Sequence, residues 1–260
     1  MLTDAERNQV VEALLEANKT KVQTVRPSAL FRHIELEDAY AISAEVARRQ
    51  QAAGAKLIGY KVGLTSIAMR RSSKIDEPDF GFLYDHFLIE DGAKVPHTNY
   101  CVPRVELELA FILGAALKGP GIIMLDVLRA TEFVVPSIEI IDTRVDEPRQ
   151  IYDTSADTGA GAGLVLGGRP FHPRDLNLRM VPGILYRNTE IEETGLSVGV
   201  MGHPANGVAW LANKLSTLGY ALEPGQILLA GSFVRPVWAE VGDTIRADFG
   251  DLGSVAIQFI

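Results

Sequence analysis

Cysteine is nearly absent: Cys101 stands alone in 260 residues, so the chain has no internal disulfide to staple it. A reducing, cytoplasmic setting is the expectation that follows. No apolar run reaches the ~18 residues of a membrane-spanning helix, which removes a bilayer from the expected partners. Lysine and arginine form no stripe, and 25 basic against 33 acidic residues leave a net charge of −8. Such a surface has little to offer a phosphate backbone, so nucleic acid is not an expected partner. The stretch MLTDAERNQVVEALLEANKT is acidic and amphipathic, lacking the cationic flank and apolar block of a secretory signal. Common catalytic signatures are missing as well. There is no GxxxxGK[ST], HExxH or GxSxG, and GAGAG at 159–163 is followed by a strand-like LVLGG where a dinucleotide fingerprint would have a helix. Cys101 itself, with no histidine placed beside it as a base, reads as a small core residue at a strand start.

What is present is a chain long enough to bury a sizeable core. Thr3 and Glu6 make a capping box, and Val10, Val11, Leu14 and Leu15 form the inward stripe of a first helix. A second helix spans about 37–51, with Ala39, Ile42 and Val46 on one face and Gly54 placed to end it. From LIGYKVGLT onward, short strands broken by Gly, Pro and Asp dominate. One further helix interrupts them, in HPANGVAWLANKLSTLG, with Pro204 near its start, Gly219 past its end and His203 as a structural residue at its entry. Strands and helices do not alternate regularly, so a doubly wound parallel sheet fits poorly. The pattern predicts an α+β fold: a small helical N-terminal portion (1–56) and a β-rich body (57–260), forming one continuous unit.

Two strands carry charge where apolar residues are expected. In CVPRVELELAFIL, Glu106 and Glu108 point to one face and Val105, Leu107, Leu109 and Phe111 to the other. Two such carboxylates repel unless a cation lies between them, or unless that face is simply wet. In EFVVPSIEIID, Glu139 sits in the near-continuous apolar run of a strand buried on both faces, so it needs a partner. Three glutamates on two strands would make an all-oxygen site for Mg²⁺, and Mn²⁺ would accept the same ligands. Asp142, at the strand end, reads as a turn residue. Lys61, in IGYKVGLTS, is either a snorkelling edge lysine or a proton-exchanging one whose pKa a nearby cation would depress. Asp79 follows a proline in a predicted loop, as an acid/base partner or as plain turn chemistry. Ser232, in AGSFVRP, lacks the second glycine of a nucleophile elbow but could bond an anionic ligand.

KVGLTS, SSKIDEPDFG, VPRVELELAF, PSIEIIDTR, HPANGVAWLANKL and LLAGSFVRPV, in this order over roughly 36–260, resemble the hydratase/decarboxylase branch of the fumarylacetoacetate hydrolase superfamily. The resemblance implies a fumarylacetoacetase C-terminal-like, mixed-sheet body that assembles into closed homo-oligomers. It implies Glu106, Glu108 and Glu139 as Mg²⁺ ligands, with Lys61 and Asp79 lining the site as proton donors or acceptors. The implied reaction is hydration of a small 2-oxo dicarboxylate, 2-oxo-hept-4-ene-1,7-dioate, in aromatic catabolism. Decarboxylation of a 4-oxalocrotonate-type acid, hydration of 2-hydroxypenta-2,4-dienoate, and a catalytically silent partner subunit are the alternatives. Thr65, Ser232 and Arg235 are expected to contact substrate, with Arg235, Arg70 or Arg71 as the cation for its distal carboxylate. Arg70, Arg71 and Lys74 make this neighbourhood more basic than is usual in the branch, and TGAGAG replaces a segment that usually carries Asn or Ser.

Overall fold

The computed structural model describes residues 1–67, 70–71 and 75–260; Lys74 lies outside the described residues. Helix α1 (Asp4–Thr20) starts at the expected capping box, in which the Thr3 hydroxyl accepts from the Glu6 N–H and the Glu6 carboxylate accepts from the Thr3 N–H. A single turn, α2 (Pro27–Leu30), leads to α3 (Leu36–Ala52), one residue longer at each end than the periodicity predicts. Val10, Val11 and Leu14 of α1 pack on Ile42 and Val46 of α3, and Val145 and Ala156 from farther along the chain complete this cluster.

The β-rich remainder follows as β1 (Leu57–Gly63), β2 (Asp79–Tyr84), β3 (Leu88–Ile89), β4 (Lys94–Val95) and β5 (Pro103–Leu113). Then come α4 (Met124–Ala130), β6 (Thr131–Asp142), α5 (Ile151–Ala156), β7 (Gly161–Leu166), β8 (Pro182–Arg187) and β9 (Glu190–Leu196). The chain ends with α6 (Pro204–Thr217), β10 (Ile227–Leu229), β11 (Val237–Trp238), β12 (Thr244–Asp248) and β13 (Ser254–Phe259). His203 caps α6, its Nδ1 accepting the Ala205 N–H at 3.1 Å. Among the described residues no helix is long and apolar enough to cross a membrane.

Two mixed sheets result. The larger runs β2-β1-β10-β5-β6-β7-β3, with β11 paired to β5; the smaller runs β4-β13-β12-β8-β9. The long β5–β6 hairpin is their common support. Side chains at alternate positions of β5 face opposite ways. Val105, Leu107, Leu109, Phe111 and Leu113 enter the main core together with Leu185, Ile245, Val255, Ile257 and Phe259 of the smaller sheet. On the other face, Ala110 joins Val135, Leu83, Leu164, Ile227 and Leu229 in a satellite cluster. That same face carries Arg104, Glu106 and Glu108 farther toward the strand's start. One β-strand therefore serves a dry core on one side and a half-polar interior on the other.

The entrance to β5 is tied down by Asp142, whose carboxylate accepts the N–H groups of Cys101 at 2.9 Å and Val102 at 2.7 Å. Asp142 does turn chemistry, as its place at a strand end suggests. Burial pushes the Cys101 thiol up to about 11, and its Sγ contacts the Ala17 carbonyl at 3.8 Å, the environment of an unreactive cysteine.

Phe111 is fully buried in the main core. Phe111→Ala should lower unfolding stability by ~3–5 kcal/mol, read as a shift of the urea midpoint at unchanged slope. A loss below ~1 kcal/mol would contradict this account of the core.

Candidate metal centre

Alternation along β5 and the antiparallel register with β6 decide where the acidic groups meet. Glu106 pairs directly with Glu139, and Glu108 with Ser137. Like charges placed opposite each other on neighbouring strands are unfavourable, so this pairing needs compensation. One carboxylate oxygen from each of Glu106, Glu108 and Glu139 lies within 4.8 Å of the other two. Glu108 and Glu139 are completely buried, whereas Glu106 borders a cavity. Burial, and next the charge of Glu139, pushes the Glu106 carboxyl up to about 7. Glu108 is held well above the usual carboxylate range, again by burial first and then by the charges of Glu139 and Glu106. Burial also raises Glu139, against the pull of Lys61.

Lys61 comes from β1 and is buried. Its Nζ lies 3.2 Å from Glu139 Oε1, an ion pair off the direction of a hydrogen bond. A cation beside Lys61 would depress its pKa, as the sequence reading has it; with the carboxylates alone around it the balance runs the other way. Burial does disfavour the ammonium, but the charges of Glu139, Asp79, Glu106 and Glu108 outweigh it and hold Lys61 above its ordinary value. Asp79 is also displaced from expectation. It opens β2 in register with Gly63, is buried, and has its pKa raised by that burial against the opposing charge of Lys61. Gly63 makes room for both groups, since a Cβ there would sit 2.1 Å from Asp79 Oδ1 and 3.3 Å from Lys61 Nζ.

The cluster is held from behind by Gly231, whose N–H donates to Glu108 Oε2 at 2.7 Å. Gly231 has φ +113°, and a Cβ there would lie 2.3 Å from Thr65 Oγ1, so no other residue presents this donor without strain. Glu108 Oε1 and Glu139 Oε2 have no hydrogen-bond partner among the described residues. Buried carboxylate oxygens without donors are costly. Three converging carboxylates, two of them with such oxygens, fit a hard divalent cation, which takes oxygen ligands and keeps positions for water or substrate.

A cavity of about 280 Å³ borders the cluster and is lined by Lys61, Asp79, Glu106, Arg104, Arg149 and Gly159, among others. A smaller one, about 80 Å³, also borders Glu106 and is lined by Thr65, Ser232 and Arg235, among others. Thr65 is buried at its wall. The Ser232 hydroxyl is engaged locally, with the carbonyls of Val234 and Leu107 at 2.9 and 3.2 Å and the Val234 N–H donating to it at 3.2 Å. Arg235 is 73% exposed and paired with Glu193 at 2.6 Å. Arg70 donates to the carbonyls of Leu64 and Thr65, and Arg71 is exposed. Arg70 thus secures a turn, and the cations that the sequence reading nominates for a distal carboxylate are committed elsewhere or face solvent.

Sequence reasoning passes over Arg104 and Arg149. Arg104 carries a signal, since it precedes Glu106 by two residues and shares its face; Arg149, in a loop, carries none. One wall of the cavity is equally illegible. Thr158, Gly159 and Ala160 take successive positive φ values of 52°, 63° and 59°. They are clamped by buried Arg144, which pairs with Asp157 and donates to the Gly161 and Asp157 carbonyls at 3.0 and 2.6 Å.

A carboxyl with a raised folded-state pKa binds its proton more tightly in the folded chain than in the unfolded one. Metal-free protein should therefore lose stability as pH rises through about 7, the value for Glu106. In thermal unfolding from about pH 5 to about pH 8, the midpoint should fall with pH, and Glu108→Gln should flatten that fall. A wild-type midpoint that is flat or rising across this window would contradict the electrostatic description.

No protein-family model matches the chain. Curated relatives do. The chain is 46% identical over 258 residues to 2-oxo-hept-4-ene-1,7-dioate hydratase of Escherichia coli, covering 96% of this chain and 97% of that protein. It is 39% identical to 2-hydroxyhexa-2,4-dienoate hydratase of Comamonas testosteroni, with 86% of each covered. The 4-oxalocrotonate decarboxylase of Pseudomonas putida G7, solved with magnesium and adipate, superposes with a TM-score of 0.96 at 31% identity, over 100% of this chain and 99% of that one. Extended identity of this order, on a mixed-sheet fold shared along the whole chain, shows that the protein belongs to the hydratase/decarboxylase branch of the fumarylacetoacetate hydrolase superfamily.

Proposed function

We propose that this chain is a divalent-metal-dependent hydratase that converts 2-oxo-hept-4-ene-1,7-dioate to 4-hydroxy-2-oxo-heptane-1,7-dioate. The observation that carries this reading is the convergence of Glu106, Glu108 and Glu139, with donor-less buried oxygens, beside Lys61 and Asp79 at one cavity. The 46% identity to a hydratase of that substrate supports it. Glu106, Glu108 and Glu139 would hold the ion, and Mg²⁺ is the proposed one, as in the magnesium complex of the decarboxylase relative. When bound, it supplies Lewis-acid stabilisation of negative charge developing on the oxygens of a 2-oxo acid.

The chemistry left to the side chains is proton transfer. The C4=C5 bond is not conjugated with the C2 ketone, so water cannot add to it directly. Removal of a C3 proton gives a dienolate. A proton returned at C5 moves the double bond to C3=C4. Water then adds at C4, its proton is lost, and C3 is reprotonated. Asp79, whose burial makes it a stronger base than an ordinary carboxylate, would accept a proton, and protonated Lys61 would donate one. Positioned acid–base groups of this kind contribute ~10²–10⁴-fold. The acidic chain offers its dianionic substrate little general attraction, so recognition must come from local cations.

The second reading is a 4-oxalocrotonate-type decarboxylase, favoured by the whole-chain superposition on such an enzyme. A silent partner subunit is disfavoured, because donor-less buried carboxylates have no structural use. A cytoplasmic homo-oligomer completes the proposal, in keeping with the single cysteine.

Purified protein with Mg²⁺ should consume the dienol form of the heptenedioate, followed by loss of ultraviolet absorbance, and give a product heavier by one water. A product lighter by one carbon dioxide would replace this reading with the decarboxylase. Glu106→Gln should lower kcat by at least ~10²-fold; activity near wild type would remove it from the centre.

A further inference from the structure

Two arginines face the cavity beside the acidic cluster, and among the described residues only one of them is held in an ion pair. Arg149 pairs with Glu147 at 2.5 Å and donates to Thr143 Oγ1 at 2.7 Å. Arg104 has no ion-pair partner among the described residues, and its buried Nε has no hydrogen-bond acceptor. Its guanidinium rests 5.0 Å from the centroid of the Trp238 ring, which orients it without neutralising it. A half-buried guanidinium beside a second one, and held in no ion pair, is a costly arrangement that an arriving anion relieves. Both arginines and Glu147 line the same cavity as Glu106, Lys61 and Asp79.

The spacing defines the anion. Arg104 and Glu106 lie on one face of β5, two residues or roughly 7 Å apart along the strand. The six C–C bonds of an extended seven-carbon chain, at ~1.5 Å each, separate its end carbons by a similar distance once the bond angles are counted. A ligand whose 2-oxo acid end meets the acidic cluster would therefore bring a carboxylate at its other end to Arg104. A planar fork is the group best suited to take that carboxylate in a bidentate pair. The other cations nearby are poorly placed for this. Lys61 sits inside the acidic cluster, and Arg235 is exposed and paired with Glu193.

We propose that Arg104, with Arg149 behind it, is the anchor for the distal carboxylate, and that it makes the site selective for dicarboxylic over monocarboxylic 2-oxo acids. The inference rests on the metal-centre reading above for the position of the 2-oxo end.

The test reads binding and leaves turnover aside. Mn²⁺-loaded protein is titrated calorimetrically with 2-oxoheptanedioate and with 2-oxoheptanoate, saturated probes that cannot be hydrated. Wild type should bind the diacid at least ~10-fold more tightly, the gain of one charge-assisted bidentate pair. Arg104→Gln should bring the two dissociation constants to within about threefold of each other, and Arg104→Lys should restore part of the gap. Three results would overturn the proposal: a wild type that does not discriminate, an Arg104→Gln that still does, or an Arg104→Gln that loses both probes and its Mn²⁺ together. Should wild type discriminate as expected yet hydrate no dienoate, the hydratase reading fails while the anchor stands.

Discussion

Glu106 lies across from Glu139 in the β5–β6 register, and every other feature of the site follows from that single unfavourable pairing. A sheet that only had to fold would not place two carboxylates opposite each other on an interior face with a third two residues away. Tolerating them takes rigid surroundings. The hairpin is the longest in the protein, its other face is locked into the main core, and its entrance is tied by Asp142. Lys61 and the Gly231 N–H offset part of the charge, and buried oxygens of Glu108 and Glu139 remain without hydrogen-bond donors. The stability forgone there is what a divalent ion would recover on binding.

Shape follows from the same constraint. Glycines at positions 63 and 231 stand where side chains would collide with Asp79 and Thr65, so the backbone can approach the charged groups closely. In the cavity wall formed by 158–160, three successive left-handed residues are fixed by the buried Arg144–Asp157 pair. Strain of this kind collects where the surrounding structure over-determines the backbone, as at a binding cavity. Its lining carries both signs of charge, with Lys61, Arg104 and Arg149 beside Asp79, Glu106 and Glu147.

Much of this was readable from residue order. Period-two alternation placed Glu106 and Glu108 on one face, and the apolar run around Glu139 signalled a buried charge in need of a partner, which the fold supplies from Lys61 some eighty residues earlier. The capping box, the glycine after α3 and the proline opening α6 each marked a helix end, because these signals are local. Where the reading fell short, the missing information was non-local. Asp79 looks like a loop residue until its pairing with Gly63 is known. The sign of the Lys61 shift depends on four carboxylates from three strands. Arg104 lies in the same alternation as Glu106, but its place at a cavity exists only in the folded chain. Short helices such as α5 have too few turns to show a period, and the wall they lead into has no sequence signature.

The account stands on three interior carboxylates sharing one ion, and calorimetric titration of dialysed protein with Mn²⁺ near pH 7 tests it most directly. With the Glu106 carboxyl at about 7 and its neighbours raised as well, the account predicts one ion per chain, taken up with release of protons that the heats in buffers of different ionisation enthalpy reveal. Binding that releases no protons, or that survives Glu139→Gln at full strength, would contradict it.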